Sequence, residues 1–260
     1  MNIQKNGLPI HSVDDWFRLA PPKGGPKHWV AGRSAMECAR AWCGSTEGPC
    51  VPDEIIALLG SSPELANVEF LHGTPEHQVR FDKLAGEPRN ADMVVVASAR
   101  LGKIAISIEA KADETFGDLV HDVLRAGVRK IAADQRTNSI ARVQALADAL
   151  LPSRTASTAP LGELRYQLLT AVAGAIAFAI EQKAAVAALL IHEFRTDKTT
   201  PENIERNSAD LNVFVSRLTR GEIASVANGV IAGPIRVPGR PLFDTKVDLY
   251  VGKAARQVHV

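Results

Sequence analysis

Residues 90 to 111 of this 260-residue chain read NADMVVVASARLGKIAISIEAK. Two short runs rich in Val and Ile, VVVAS and KIAISI, are separated by ARLG, and this pattern predicts a β-hairpin whose strands are buried on both faces. Charged residues stand at the open end of the hairpin: Asp92 precedes the first run, and Glu109 and Lys111 close the second. An apolar hairpin therefore ends in two carboxylates and one amine.

The register of the hairpin decides whether these charges meet. If the turn is centred between Arg100 and Leu101, Asp92 lies opposite Glu109, with the two Cβ atoms roughly 4.5–5.5 Å apart on one face of the sheet. Lys111 lies two residues beyond Glu109 and shares that face, because side chains alternate along a strand. A shift of one residue would separate the three charges.

Two carboxylates held together repel each other, and burial makes their charged forms costlier still. A hard divalent cation such as Mg²⁺ or Mn²⁺ relieves this repulsion by binding both through oxygen. Such an ion polarises a phosphoryl oxygen and lowers the pKa of a bound water, and the Lys111 ammonium would orient that water or offset charge on the phosphate. The pattern predicts phosphodiester hydrolysis. The alternative is a solvated strand end, where Glu109 and Lys111 form a minor surface ion pair.

Asp92 followed by Glu109-Ala110-Lys111 across a hairpin resembles the D…(D/E)-x-K signature of the PD-(D/E)XK nuclease superfamily, which has the restriction-endonuclease-like fold. The resemblance covers roughly residues 33 to 194. It implies Asp92 and Glu109 as metal ligands and Lys111 as the catalytic lysine. It also implies the Ala110 carbonyl as a main-chain ligand, and Mg²⁺ or Mn²⁺ as the cofactor.

The resemblance further implies an acidic ligand from the helix before the hairpin, and Glu37 in SAMECARAW stands at the matching position. Ser34-x-x-Glu37 equally fits a capping box, in which both side chains satisfy free N–H groups of the helix. Glu69, in the strand predicted over 67–73, is a competing third ligand.

Four polar residues outside the hairpin are candidates for substrate binding. In the RecB-like branch of the superfamily a later helix carries a Gln near the active site, and Arg165 and Gln167 match that position; otherwise they are polar residues on the first turn of a buried helix. Arg125 and Arg129 lie on the polar side of an amphipathic helix predicted over 116–133. They form either a phosphate track or a solvated helix face.

Composition narrows the class of protein. The formal net charge is +1 and aromatic residues make up 5% of the chain, so neither a global positive field nor aromatic stacking dominates recognition. Cys38, Cys43 and Cys50 include no C-x-x-C pair, which disfavours disulfides and zinc. Nucleotide-binding and serine-hydrolase motifs are missing. The sequence shows neither a signal peptide nor an apolar run long enough to span a bilayer, so we expect a cytoplasmic protein without a membrane partner.

The predicted elements run in the order helix, three strands, helices, strand, and then a further helix and strands. Together with the resemblance, this order predicts an α/β fold: a restriction-endonuclease-like mixed β-sheet flanked by helices. We expect an irregular N-terminal arm over residues 1–32 and a nuclease-like core over 33–194. A C-terminal extension of helix and strands, packed on the same domain, is expected over 195–260.

These observations predict a divalent-metal-dependent nuclease with DNA as its partner, and they leave a homodimer open. The first alternative is a catalytically inactive member of the same fold that binds nucleic acid or a protein. A weaker alternative is a structural or toxin-neutralising protein in which Asp92 and Lys111 form only an ion pair.

Overall fold

A computed structural model describes residues 1–45, 48–244 and 246–258 of the chain. The strands are β1 (Asn2–Lys5), β2 (Leu8–Pro9), β3 (Glu69–Val79), β4 (Arg89–Ala99), β5 (Gly102–Lys111), β6 (Val186–Arg195), β7 (Val230–Ile235) and β8 (Asp248–Gln257). The α-helices are α1 (Val13–Leu19), α2 (Ser34–Cys43), α3 (Asp53–Gly60), α4 (Val120–Ala132), α5 (Ser139–Leu150), α6 (Tyr166–Glu181) and α7 (Pro201–Leu218). The predicted α/β class is confirmed.

The eight strands form one mixed sheet in the order β2-β1-β3-β4-β5-β6-β8-β7. The central hairpin has the predicted register, since Met93 lies opposite Ile108 and Ala99 opposite Gly102. Strand β6 runs parallel to both β5 and β8. The carboxyl ends of β5, β6 and β8 therefore lie at the same edge of the sheet as the start of β4, and we call this edge the charged edge.

Apolar layers cover both faces of the sheet. The Ala-rich helix α6 packs on one face, where Leu168 and Val172 lie in the same cluster as Val94 of β4. Helices α1, α2 and α3 cover the opposite face, where Trp16 and Trp42 are almost fully buried. Because β4, β5 and β6 are covered on both sides, they are apolar nearly without interruption until they reach the charged edge.

The N-terminal residues differ from the prediction. Residues 1–32 are not irregular: they form β1, β2, α1 and a short 3-10 helix. Ile3 of β1 is fully buried, and Lys5 Nζ donates hydrogen bonds to the carbonyls of Pro75 and Glu76 at 3.0 and 2.7 Å. These contacts fix β1 beside β3, so the segment extends the sheet.

Helix α4 is shorter than the predicted 116–133, and two of the apolar residues that an amphipathic helix would bury, Val128 and Ile131, are 57% and 54% exposed. The helix packs closely on the start of α5 at Gly127, where a Cβ atom would lie 2.4 Å from Ser139 Oγ. At the other end of the chain, β7 and β8 join the same sheet as the core strands. No helix among the described residues has the length and apolar character needed to cross a membrane.

Candidate active site

The open end of the central hairpin brings the predicted residues together. Asp92 Oδ2 accepts a hydrogen bond from the backbone N–H of Ala110 at 2.7 Å. Ala110 lies between Glu109 and Lys111, the last residues of β5. The Asp92 carboxylate is thus tied across the hairpin to the segment that carries the other two charges.

Glu109 is the most heavily coordinated carboxylate of the charged edge. It is 2% exposed. Lys111 Nζ lies 2.8 Å from its Oε1, Gln167 Nε2 donates to the same oxygen at 2.6 Å, and Arg89 pairs with Oε2. Burial alone would raise the pKa of Glu109, but the charges of Arg89 and Lys111 outweigh it and lower that pKa below its ordinary value. Glu109 is therefore an ionised carboxylate with donors on both oxygens.

Lys111 remains charged although it is 4% exposed. Burial would lower the pKa of Lys111, but the charges of Glu109, Glu114 and Asp92 raise it above its ordinary value. Its Nζ also lies 5.3 Å from the centroid of the Phe116 ring, over the ring face. The site thus holds a buried ammonium in direct contact with a buried carboxylate.

A third carboxylate, which the sequence did not identify, lies beside Asp92. The β3–β4 register pairs Pro75 with Met93 and His77 with Ala91, so the residue between them, Glu76, lies opposite Asp92. The three carboxylates of Glu76, Asp92 and Glu109 therefore come from three adjacent strands.

Two of the three carboxylates favour their neutral form more than an exposed carboxylate does. Burial raises the pKa of Asp92 to about 8, and the charge of Glu109 adds to the effect. Burial likewise raises the pKa of Glu76 to about 7, against the opposing hydrogen bond from Asn90 and the charge of Lys5. Both pKa values are therefore shifted toward neutral pH, mainly because burial disfavours the charged carboxylate.

Two adjoining clefts open on the charged edge. The smaller, about 590 Å³, is lined by the carboxyl-bearing residues Glu76, Asp92 and Glu114 and by residues that include Arg33 at the start of α2. The larger, about 870 Å³, is lined by Arg89 among other residues. Both clefts are lined by Lys23, Glu76 and Asn90. Asp92 and Arg89 therefore face neighbouring parts of one depression.

The structure does not bring Glu37 to this site. Helix α2 begins at Ser34 with Arg33 as its N-cap residue, so Ser34 is not the cap and the predicted capping box is wrong. The buried Oε1 of Glu37 instead accepts hydrogen bonds from the N–H of Gly32 and from Arg40 Nη1, both at 2.8 Å. These contacts lie within α2 and the segment just before it, and they explain the burial of Glu37 by local structure.

Glu69 is also excluded as a third ligand. It pairs with Ser98 at the opposite end of β4 from Asp92. Six residues of strand separate Ser98 from Asp92, which corresponds to roughly 20 Å at ~3.3 Å per residue.

The four predicted substrate-binding residues have different positions. Gln167 contacts Glu109, as described above. Arg165 donates to Asp210 Oδ2 at 2.8 Å and to the Gly117 carbonyl at 2.6 Å. Arg125 and Arg129 are exposed on α4 and line neither cleft. Of these four residues, only Gln167 makes a contact that places it in the candidate site.

Arg89, Asn90, Glu76 and Glu114 are the residues at the site that the sequence did not single out. Arg89 and Asn90 stand three and two positions before Asp92, and β4 begins at Arg89 rather than at the first Val. A signal was available, because a basic residue at the start of this strand lies near the carboxyl end of β5.

The donor set fits a hard divalent cation in part. Among the described residues, no group of three or more His, Cys, Asp and Glu side chains is arranged to hold a metal ion. Asp92 and Glu76 nevertheless line one cleft with oxygen donors, as Mg²⁺ and Mn²⁺ require. Glu109 would offer Oε2 only after Arg89 leaves it. Glu37 does not fit, because its carboxylate is engaged elsewhere.

Comparison with known proteins places the chain in a family. Residues 9–257 match the model of a family described as Domain of unknown function (DUF6946). No curated protein matches the chain, and no solved structure matches it. The family match includes every residue of the candidate site except Lys5 at its rim. The chain therefore belongs to the DUF6946 family.

Proposed function

We propose that this protein is a divalent-metal-dependent nuclease that hydrolyses phosphodiester bonds in DNA. The observation that supports the proposal most strongly is the set of contacts around Glu109. Lys111 of the same strand and Gln167 of α6 both donate to its Oε1, and Asp92 is bonded to the intervening Ala110. This is the group of residues that the D…(D/E)-x-K resemblance implies.

Asp92 and Glu109 would hold Mg²⁺ or Mn²⁺, with the Ala110 carbonyl as the main-chain ligand. Glu76 replaces Glu37 as the third carboxylate, because it lies opposite Asp92 and lines the same cleft. When bound, the ion supplies a polarised phosphoryl oxygen and a water of lowered pKa.

The residues of the chain have separate tasks in this proposal. The Lys111 ammonium orients the attacking water and offsets the charge that develops on the phosphate. Gln167 fixes the rotamer of Glu109 through its 2.6 Å hydrogen bond. Water adds to phosphorus and one P–O ester bond breaks, which yields a phosphomonoester and an alcohol. Arg33 and Lys23, which line the smaller cleft, would neutralise backbone phosphates of the substrate.

One observation favours a second candidate function, a catalytically inactive member of this fold that binds nucleic acid or a protein. Arg89 pairs with Glu109 Oε2, so Glu109 already has two cationic partners without any metal. An inactive protein would keep these ion pairs permanently. Its melting temperature would not rise with Mn²⁺, whereas that of the nuclease would.

Incubation of the protein with plasmid and with linear DNA, in Mg²⁺ or Mn²⁺, tests the proposal. Lys111→Ala should abolish cleavage. Lys103→Ala is the matched control, because Lys103 lies at the other end of the same strand, where its Nζ donates to the Gln182 carbonyl at 3.1 Å. It should cleave like the wild type. The proposal fails if the wild type cuts neither DNA with either ion, or if Lys111→Ala keeps full activity.

A further inference from the structure

Arg89 occupies a distinctive position at the charged edge. It begins β4, three residues before Asp92, and its guanidinium pairs with Glu109 Oε2. The side chain is 13% exposed and lines the larger cleft. It therefore lies between a buried carboxylate and open space.

The surrounding helix leaves room for this side chain. A Cβ atom at Gly174 of α6 would lie 3.1 Å from Arg89 Cγ, which is closer than an ordinary van der Waals contact. Gly174 lies within the helix, where glycine is less favourable than alanine. The glycine thus gives the Arg89 stem a channel along α6 toward Glu109.

The two oxygens of Glu109 are not equally occupied. Oε1 is bonded to Lys111 and Gln167, and Oε2 is bonded to Arg89. A hard cation needs a carboxylate oxygen directed at it, without a charged donor in its place. Oε2 becomes available by the loss of one partner and Oε1 only by the loss of two. A divalent ion and the Arg89 guanidinium therefore compete for the same oxygen.

We propose that Arg89 is an exchangeable counter-ion of Glu109, which holds the carboxylate in the metal-free protein and is displaced into the larger cleft when a divalent cation binds. The inference rests on the proposed metal site. It assigns to Arg89 a positioning role that none of the signature residues has. It also reconciles the Arg89–Glu109 ion pair with a functional metal site, because the pair belongs to the resting state.

Mn²⁺ affinity, measured by isothermal titration calorimetry without nucleic acid, tests the exchange. Arg89→Gln should bind Mn²⁺ at least about threefold more tightly than the wild type, since coupled neighbours differ by that order. Arg80→Gln is the matched control. Arg80 lines the same cleft and carries the same charge, but its guanidinium donates to the carbonyls of Leu84 and Gly86. The Mn²⁺ affinity of the Arg80→Gln variant should stay within about twofold of that of the wild type.

A double-mutant cycle shows whether the effect passes through Glu109. In a Glu109→Gln background, Arg89→Gln should change the Mn²⁺ affinity by less than about twofold, because the contested oxygen no longer carries a charge. An equal gain in both backgrounds would overturn the inference, and so would an equal gain in Arg80→Gln.

A measurement on the wild type keeps the test valid if Arg89→Gln does not fold. The Nε–Hε NMR signal of Arg89, assigned by its loss in Arg89→Lys, should shift during a Mg²⁺ titration, while that of Arg80 should not. An unshifted Arg89 signal at saturating Mg²⁺ overturns the inference. If that protein still cleaves DNA, the proposed nuclease stands and only the role of Arg89 falls. If the wild type does not cleave DNA, the cleavage assay itself contradicts the proposed nuclease function.

Discussion

Two glutamates near the charged edge are held in similar ways but differ in their surroundings. Both carboxylate oxygens of Glu54 in α3 accept hydrogen bonds from Arg256, at 2.6 and 3.0 Å. Glu54 Oε1 also lies 2.7 Å from His192 Nε2. The Glu109 carboxylate forms ion pairs with Arg89 and Lys111 and accepts a hydrogen bond from Gln167. Each glutamate thus has a guanidinium and at least one further nitrogen partner.

The charge balance separates the two clusters. Burial would raise the pKa of Glu54, but the hydrogen bonds from His192 and Arg256 outweigh it and lower that pKa to about 2. No neighbouring carboxylate opposes them among the causes of that shift. Around Glu109 the opposite holds, because Asp92 and Glu76 both have raised pKa values and both line a cleft.

We infer from this difference that the Glu54 cluster is a structural tie and that the Glu109 cluster is the better candidate for a functional site. The Glu54 cluster joins α3 to β6 and β8 through contacts of the Glu54 carboxylate with His192 and Arg256. The Glu109 cluster places two carboxylates of raised pKa beside a cleft, which supports the proposal that it is a functional site. The number of ion pairs at each glutamate does not separate the clusters, whereas the neighbouring carboxylates of raised pKa that line a cleft occur only beside Glu109 among the two.

The largest expected effect is on cleavage. Glu109→Gln should lower the Mn²⁺-dependent cleavage rate by about 10³-fold, because it removes a ligand charge from the metal and the partner of Lys111. Glu54→Gln should leave the rate within about threefold, since no residue of its cluster lines either cleft. Initial rates on linear DNA measure both. Equal losses of cleavage rate in the two variants would show that the Glu109 and Glu54 clusters do not differ in function.

The second effect is a pH dependence of stability. The folded-state pKa of Asp92, about 8, lies above its ordinary value of 3.8. The protonated carboxyl therefore stabilises the fold below pH 4, and this contribution is lost as the pH rises toward 8. Between pH 5 and pH 8, the unfolding free energy of the Asp92→Asn variant should therefore fall by about 3 kcal/mol less than that of the wild type. Urea unfolding of the metal-free proteins at pH 5 and pH 8 measures it. A wild type and variant with parallel pH profiles would contradict the prediction.

The hairpin and its charges were predictable because they depend on local pattern. Alternation and the ARLG turn fix the register, and the register brings Asp92, Glu109 and Lys111 to one end. Gln167 came from the resemblance, and the structure places it on Glu109. These contacts follow from the backbone course of two strands and one helix.

The third carboxylate was missed because β3 was predicted to stop at Gly73. The strand runs through Gly73 and Pro75 to Val79, although both residue types usually interrupt strands. The Met93 side chain fills the space beside Gly73, since a Cβ atom there would lie 2.3 Å from Met93 Cε. Glu76 lies near the true end of the strand, whereas Glu69, the third ligand that the sequence suggested, lies at its start. Arg89 was missed for another reason: its role depends on a side-chain contact across strands.

A third effect distinguishes the Glu54 cluster by its opposite pH trend. The lowered pKa of Glu54 means that its contribution is present above its ordinary value of 4.5 and is lost as the pH falls toward 2. Glu54→Gln should cost about 2 kcal/mol of unfolding free energy at pH 7 and progressively less below pH 4.5. Chemical unfolding between pH 2.5 and pH 7 measures the difference. A cost that is constant over this range would show that the ion pairs do not act through the Glu54 charge.

The smallest effect tests whether Glu76, rather than Glu37, is the third carboxylate ligand of the metal. Glu37→Gln should lower the unfolding free energy by about 1 kcal/mol, because the amide keeps an acceptor for the Gly32 N–H and loses the charge that faces Arg40. It should not change the affinity for Mn²⁺. Glu76→Gln should weaken Mn²⁺ binding by about tenfold, because it removes a carboxylate next to Asp92. Calorimetric titration of both variants measures the contrast. Weaker Mn²⁺ binding in Glu37→Gln alone would restore the helix residue as the third ligand and leave Glu76 as a neighbour of the site.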